Sequence, residues 1–165
     1  MSDDDTALTE GFVLADGTVV EVRPIRPGDV AGLVDFHEGL SFQTVYRRFF
    51  GVHPHLGAGE AEHFCTIDSL ERFALVALVD GVIVGVARME RLAATPTAEV
   101  AFVIADRFQH RRLGCLLAQR LAVAARARGI QDFVAEVLAD NRPMLRLLSD
   151  AGFAVKSPWP TVSPT

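Results

Sequence analysis

The stretch Ala98-Glu99-Val100-Ala101-Phe102-Val103-Ile104-Ala105-Asp106-Arg107-Phe108-Gln109-His110-Arg111-Arg112-Leu113-Gly114 reads as an apolar strand, a short basic loop and the start of a helix. That order gathers several backbone N–H groups and two guanidinium groups at one helix N-terminus, a place suited to a phosphate. Glu99 stands at the far end of the strand from it. At roughly 3.3 Å per residue, a strand from Glu99 to Ala105 separates the two by about 20 Å. A long, thin ligand with phosphates at one end and a reactive group at its tip spans that distance. Coenzyme A has this shape.

Outward from this stretch, the pattern alternates between strands and helices. Asp16-Gly17 lies between apolar runs at 12–14 and 18–22 and reads as a hairpin turn. Helical spacing follows over 29–40, then over 41–50 with Ser41 as cap and Tyr46, Phe49 and Phe50 along one side, then over 60–67. Strands at 73–79 and 82–89 are joined by Asp80-Gly81, a strong hairpin signal. Beyond the quoted stretch come a helix over 112–128 stopped by Gly129, a strand over 133–138, a helix over 141–151 and a short strand over 153–155. This order predicts an α/β (α+β) fold with a mixed central sheet flanked by helices and a crossover between strands 98–105 and 133–138. Residues 1–10 read as a disordered leader, 11–156 as the domain and 157–165 as a loose proline-rich tail.

A chain of 165 residues, half of them hydrophobic, suffices for one domain with a real core. The formal net charge of −5 argues against non-specific nucleic-acid binding, which needs a basic face. Basic residues cluster at 107–112 and 120–128, the mark of a local anion site. Cys65 and Cys115 have neither metal nor redox spacing, and read as free thiols of a reducing cytoplasm. The start is acidic where a signal peptide is basic, and no apolar run approaches the ~18 residues of a membrane span. His53, His55 and His63 match no usual zinc frame, so no metal is expected.

Gln109-His110-Arg111-Arg112-Leu113-Gly114 resembles the phosphate-turn signature Gln/Arg-x-x-Gly-x-Gly/Ala of the GNAT superfamily of acetyl-CoA-dependent N-acyltransferases, and Asn141 with Gly152-Phe153 resembles its second element. The likeness covers roughly residues 19–156. Gly17-Thr18-Val19-Val20, Arg23-Pro24-Ile25-Arg26-Pro27, Tyr46-Arg47-Arg48-Phe49-Phe50-Gly51 and the run from Phe133 to Asn141 further resemble bacterial Pat-type protein lysine acetyltransferases.

The resemblance implies a GNAT fold and a cosubstrate, acetyl-CoA. It implies that the pantetheine arm pairs with the backbone of Val103, Ile104 and Ala105, that the diphosphate lies on the turn and helix start made by Gln109, His110, Arg111, Arg112, Leu113, Gly114 and Cys115, and that Asn141 touches the arm. Cys115 packs beneath the loop rather than acting as a nucleophile. Glu99 is implied as the catalytic base: an ammonium of pKa ~10.4 must lose its proton before it attacks a thioester, and a partly buried glutamate can take it. N–H groups near Val103 and Ile104 are expected to stabilise the oxyanion. Acceptors implied are a primary amine, foremost a protein lysine, as on an acyl-CoA synthetase.

Three departures leave alternatives open. Arg112 and His110 stand where glycines are usual, and a positive φ there would cost about 1–2 kcal/mol. Leu148 takes the place of a tyrosine acid. The chain ends near the last expected strand, so that strand is missing, is poorly replaced by 159–163, or comes from a partner chain or a second copy at an open edge. Glu99 is a base or a solvated strand-end carboxylate, and Glu136 a base, a partner or a surface residue. The Tyr46–Phe50 stripe reads as core, although in the family it borders the acceptor groove. The function readings are a protein lysine acetyltransferase, a small-molecule amine acetyltransferase, or a catalytically weak acyl-CoA-binding regulatory module.

Overall fold

The computed structural model describes residues 9–49, 55–68, 70–135 and 142–150. Six strands form one sheet in chain order: β1 (Glu10–Val13), β2 (Val19–Pro24), β3 (Arg72–Val79), β4 (Val82–Arg91), β5 (Thr97–Ile104) and β6 (Asp132–Val134). All neighbours are antiparallel except β5 and β6, which are parallel and joined through a helix. The helices are α1 (Val30–Glu38), α2 (Phe42–Phe49), α3 (Ala58–Cys65), α4 (Leu113–Ala127) and α5 (Arg142–Asp150). The expected mixed sheet flanked by helices is what forms. β1 begins inside the stretch read as leader, because Glu10 pairs with Val22 and meets Arg120 at 3.3 Å. The strand expected over 153–155 and the tail lie outside the described residues.

Burial follows the sequence pattern. β3 and β4 are apolar on both faces and take the centre of the sheet, whereas β5 alternates. Ala98, Val100, Phe102 and Ile104 turn to the core under Leu113, Leu117 and Leu121 of α4. On the other face Leu33, Ala61 and Cys65 of α1 and α3 pack over Ala74, Val76, Ile83 and Val86. Asp80 and Gly81, both at positive φ, make the tight β3–β4 turn. The Arg23-Pro24-Ile25-Arg26-Pro27 motif proves to be a clamp: buried Arg23 grips Asp29 with two bonds of 2.8 Å, tying β2 to the start of α1.

Two features set the geometry of the turn between β5 and α4. Asp106 accepts bonds from the Ser41 N–H at 2.8 Å, the Ser41 hydroxyl at 2.7 Å and the Thr44 hydroxyl at 2.7 Å. Ser41 also caps α2 through the Thr44 N–H at 3.2 Å, as expected. The Gln109 amide completes the latch, donating to Thr44 at 3.2 Å and to the Ile104 carbonyl at 3.0 Å. Helix α2 is therefore fastened to the turn by its first residues. In the turn itself His110 and Arg112 adopt φ of 62° and 68°, the left-handed region where a Cβ is unfavourable.

Burial raises the Asp106 carboxyl pKa, but the bonds from Ser41 and Thr44 outweigh it and hold the group below the ordinary carboxylate value. A depressed carboxyl stabilises the fold above its unfolded pKa of about 3.9, and that stability is lost as pH falls through the folded value. Asp106→Asn is expected to lose about 1–2 kcal/mol at pH 7 and to flatten the acid limb of the stability curve, read by urea unfolding at several pH values. Equal acid sensitivity of the two proteins would remove Asp106 from that limb. Replacing His110 or Arg112 by glycine is expected to raise stability by up to about 1 kcal/mol each, the relief of the left-handed penalty less glycine's chain entropy. A loss in the same unfolding measurement would show that the side chains outweigh the strain.

Candidate active site

Among the described residues β6 pairs with β5 at three positions, the last being Glu99 opposite Val134, and β5 runs on to Ile104; residues 136–138 of the expected strand lie outside the described residues. The ladder to β4 fixes which groups of β5 face away from β4. Ala105 N–H donates to the Val84 carbonyl and Leu92 N–H to the Thr97 carbonyl, so odd-numbered residues of β5 are bonded to β4. Val100, Phe102 and Ile104 turn their N–H and C=O groups to the other edge. Gln109 on the Ile104 carbonyl confirms that direction. The N–H of Val103, expected at the oxyanion, is thus turned to β4, and that of Ile104 is turned away from it. Like Ala101 and Glu99, Val103 lies on the sheet face away from α4.

Beside this edge opens a cavity of about 700 Å³, within the range of small-ligand sites. One wall is the 99–104 stretch of β5. Thr44, Arg47, Arg48 and Phe49 of α2 form another, and α5 contributes Arg142, Arg146 and Leu147. The turn supplies Gln109, His110 and Arg112, and the helix start Gly114 and Cys115. Arg112 is the N-cap of α4, and its carbonyl accepts the first helical bond from Leu116. The N–H groups of Leu113, Gly114 and Cys115 are those a helix leaves without internal acceptors. Gly114 serves packing as well: a Cβ there would fall 2.1 Å from Leu147 Cδ1 of α5, so that side chain would have to move.

Most residues singled out in the sequence meet here. Glu99, Val103, Ile104, Gln109, His110, Arg112, Gly114 and Cys115 line the cavity, while Leu113 is a core residue whose N–H alone faces the turn. Arg111 goes elsewhere: it forms an ion pair with Asp16 of the β1–β2 hairpin and lies over the Phe108 ring. One of the two expected guanidiniums is therefore engaged away from the cavity. Ala105 ends the strand outside the lining. Glu99 is exposed rather than partly buried, and Glu90 stands directly across the ladder from it. Leu148 is 2% exposed in the core, so that position offers the cavity no acid. Tyr46, read as core, is 43% exposed and stacks on exposed Phe42. Asn141, Glu136, His53, Phe50 and Gly152-Phe153 lie outside the described residues.

Sequence reasoning missed Asp106, Thr44, Arg47 and Arg48. The partners of Asp106 lie 65 and 62 positions away, a separation that leaves no local signal. Arg47 and Arg48 look like an ordinary solvated helix face until α2 is laid along β5. Among the described residues no group of three or more potential metal ligands comes together, and no helix is long and apolar enough to cross a membrane.

Comparison with known proteins bears directly on this geometry. The chain is 34% identical over 134 residues to acetyltransferase Pat of Mycolicibacterium smegmatis, spanning 79% of this chain and 40% of that protein's length. The fold matches the GNAT domain of S. lividans PAT with a TM-score of 0.88 and 35% identity, covering 93% of this chain and 92% of that one. It also matches the PaiA N-acetyltransferase of Thermoplasma acidophilum in complex with coenzyme A, with a TM-score of 0.68, 83% and 91% coverage and 15% identity, a likeness of fold alone. The family pattern spans residues 40–153, taking in α2, β5, the turn and α4, and on that match the chain belongs to the acetyltransferase (GNAT) family.

Proposed function

We propose that the chain transfers acetyl from acetyl-CoA to a primary amine, foremost a protein lysine, with Glu99 as base. The observation that carries the reading is the continuity of the cavity. It runs from the N–H groups of the α4 N-terminus, along residues 99–104 of β5, to the Glu99 carboxylate. Arg112, Arg142 and Arg146 on its walls suit a ligand with several phosphates. The backbone groups that Phe102 and Ile104 turn away from β4 suit an extended arm that pairs with them as a strand would.

Acetyl-CoA supplies an activated acyl group as a thioester. The chain's own residues do the rest. The N–H groups of Leu113, Gly114 and Cys115 hold phosphate oxygens, and the Gln109 latch keeps the turn in register with β5. The N–H groups of Phe102 and Ile104 face the acyl carbonyl and donate to its oxygen as charge builds there. Glu99 takes the proton from the incoming ammonium directly or through one water, and its exposure leaves it open to a bulky acceptor. No protein acid is required for departure, because a thiol of ordinary pKa about 8.5 leaves as thiolate near neutral pH. The buried Leu148 is consistent with that. The Pat relatives favour a protein acceptor.

Millimolar coenzyme A is expected to raise the melting temperature, since a ligand bound only by the folded state stabilises it. No shift would defeat the proposal at its first step. With acetyl-CoA and a lysine-rich protein, thiol release is expected to fall about 100-fold or more in Glu99→Gln while the melting shift persists. Binding without turnover, unchanged by that substitution, would favour the regulatory-module reading.

A further inference from the structure

We propose that Arg48, with Arg88 behind it, forms an anion subsite at the acceptor end of the cavity, which holds a carboxylate belonging to the acceptor itself. This rests on the reading of the Glu99 end as the place where the amine arrives. Arg48 is half-buried on the wall that α2 presents to β5. Its guanidinium lies over the Phe49 ring at 4.8 Å and, among the described residues, neither hydrogen-bonds nor ion-pairs with anything. Glu99 and Glu60 are the anions that act on it, both from beyond ion-pair distance. Behind it a smaller cavity of about 40 Å³, lined by Arg48, Phe49, Ala101 and Val103 among others, reaches Arg88.

Arg88 is only weakly satisfied, by the Phe64 carbonyl at 3.3 Å and the Phe64 ring at 4.4 Å. Burial first, then the neighbouring Arg48, brings its pKa down to about 10, so it stays charged at neutral pH. Burial likewise holds Arg48 below its usual value. Two desolvated like charges, neither ion-paired among the described residues, repel each other, and an anion beside them would relieve both.

Position separates this pair from the phosphate end. Thr44 is bonded to Gln109 and Asp106 at the turn, and Arg48 lies one helical turn further along α2, about 6 Å on. It shares the smaller cavity with Ala101, two residues from Glu99 and about 7 Å away along the strand. The phosphate turn is about 20 Å from Glu99. A carboxylate at Arg48 thus sits several ångströms from an amine at Glu99. An aspartate beside a lysine in an extended peptide satisfies that spacing, and so does the α-carboxylate of free lysine.

The test uses the full chain saturated with coenzyme A, so that the phosphate turn is filled. Fluorescence anisotropy compares a labelled peptide carrying lysine between two aspartates with its asparagine twin, and free lysine and lysine amide serve as competitors. The aspartate peptide is expected to bind at least about tenfold tighter, the scale of one charge-assisted bond. Arg48→Gln should abolish the preference and Arg48→Lys restore part of it, with thermal melting as the check on folding. An Arg48-dependent advantage of free lysine over its amide, without one for the aspartate peptide, would support the subsite and assign it to small acceptors. A preference that survives Arg48→Gln, or none of either kind in the natural protein, would overturn it. Thiol release on the same acceptors keeps the two readings apart. Preference without turnover leaves the subsite and removes the transferase, whereas equal turnover on both peptides with no binding preference does the reverse.

Discussion

One edge of β5 is bonded to β4 along its length, and Phe102 and Ile104 turn their backbone groups to the other. Everything at the site depends on that direction. Were these two residues turned to β4, their amides would be consumed by the ladder. Turned the other way, they line a cavity bounded by two helices. The same strand is held straight and buried by its other face, where Val100, Phe102 and Ile104 pack under α4. Core and cavity wall are two sides of one element, and this allows a groove about 20 Å long to keep its shape.

The ends of that groove are built differently. The turn end is strained and tightly latched, with two non-glycine residues at positive φ and a carboxylate gathering α2 onto the loop. Strain of this kind survives where surrounding bonds over-determine the backbone, and the Asp106 and Gln109 bonds do so here. The Glu99 end is exposed and charged, with Glu90 beside the acid and two poorly satisfied guanidiniums nearby. On the proposed reading, the latched end meets a constant ligand and the exposed end a variable one.

Much of this was legible in the residues. Asp80-Gly81, the alternation from Ala98 to Ile104 and the apolar stripe of α4 are local patterns, and local patterns survive in a linear reading. The requirement for positive φ at His110 and Arg112 was visible as a departure from glycine, and the backbone bears the strain. What escaped is long-range or directional. Arg111 sits in the basic loop, yet its partner Asp16 lies in the first hairpin, and no local rule chooses between a phosphate and an aspartate. The N–H of Val103 and that of Ile104 differ only in which edge they face, which depends on the register with β4. Tyr46 belongs to an apolar-looking stripe, but α2 turns Val45 inward and leaves Tyr46 to stack on Phe42.

The fastening of α2 to the phosphate turn also bears on how such a protein diversifies. Helix α2, one wall of the cavity, hangs from Ser41 and Thr44, and both are fixed to Asp106 just after β5. Swapping that helix for one from a relative with different tastes would transplant a new surface but cut the anchor, unless both hydroxyls travelled with it. On the proposed reading, recognition of the incoming molecule and grip on the donor share one mechanical unit, so new specificity is more readily built from the helix's later turns than from its first.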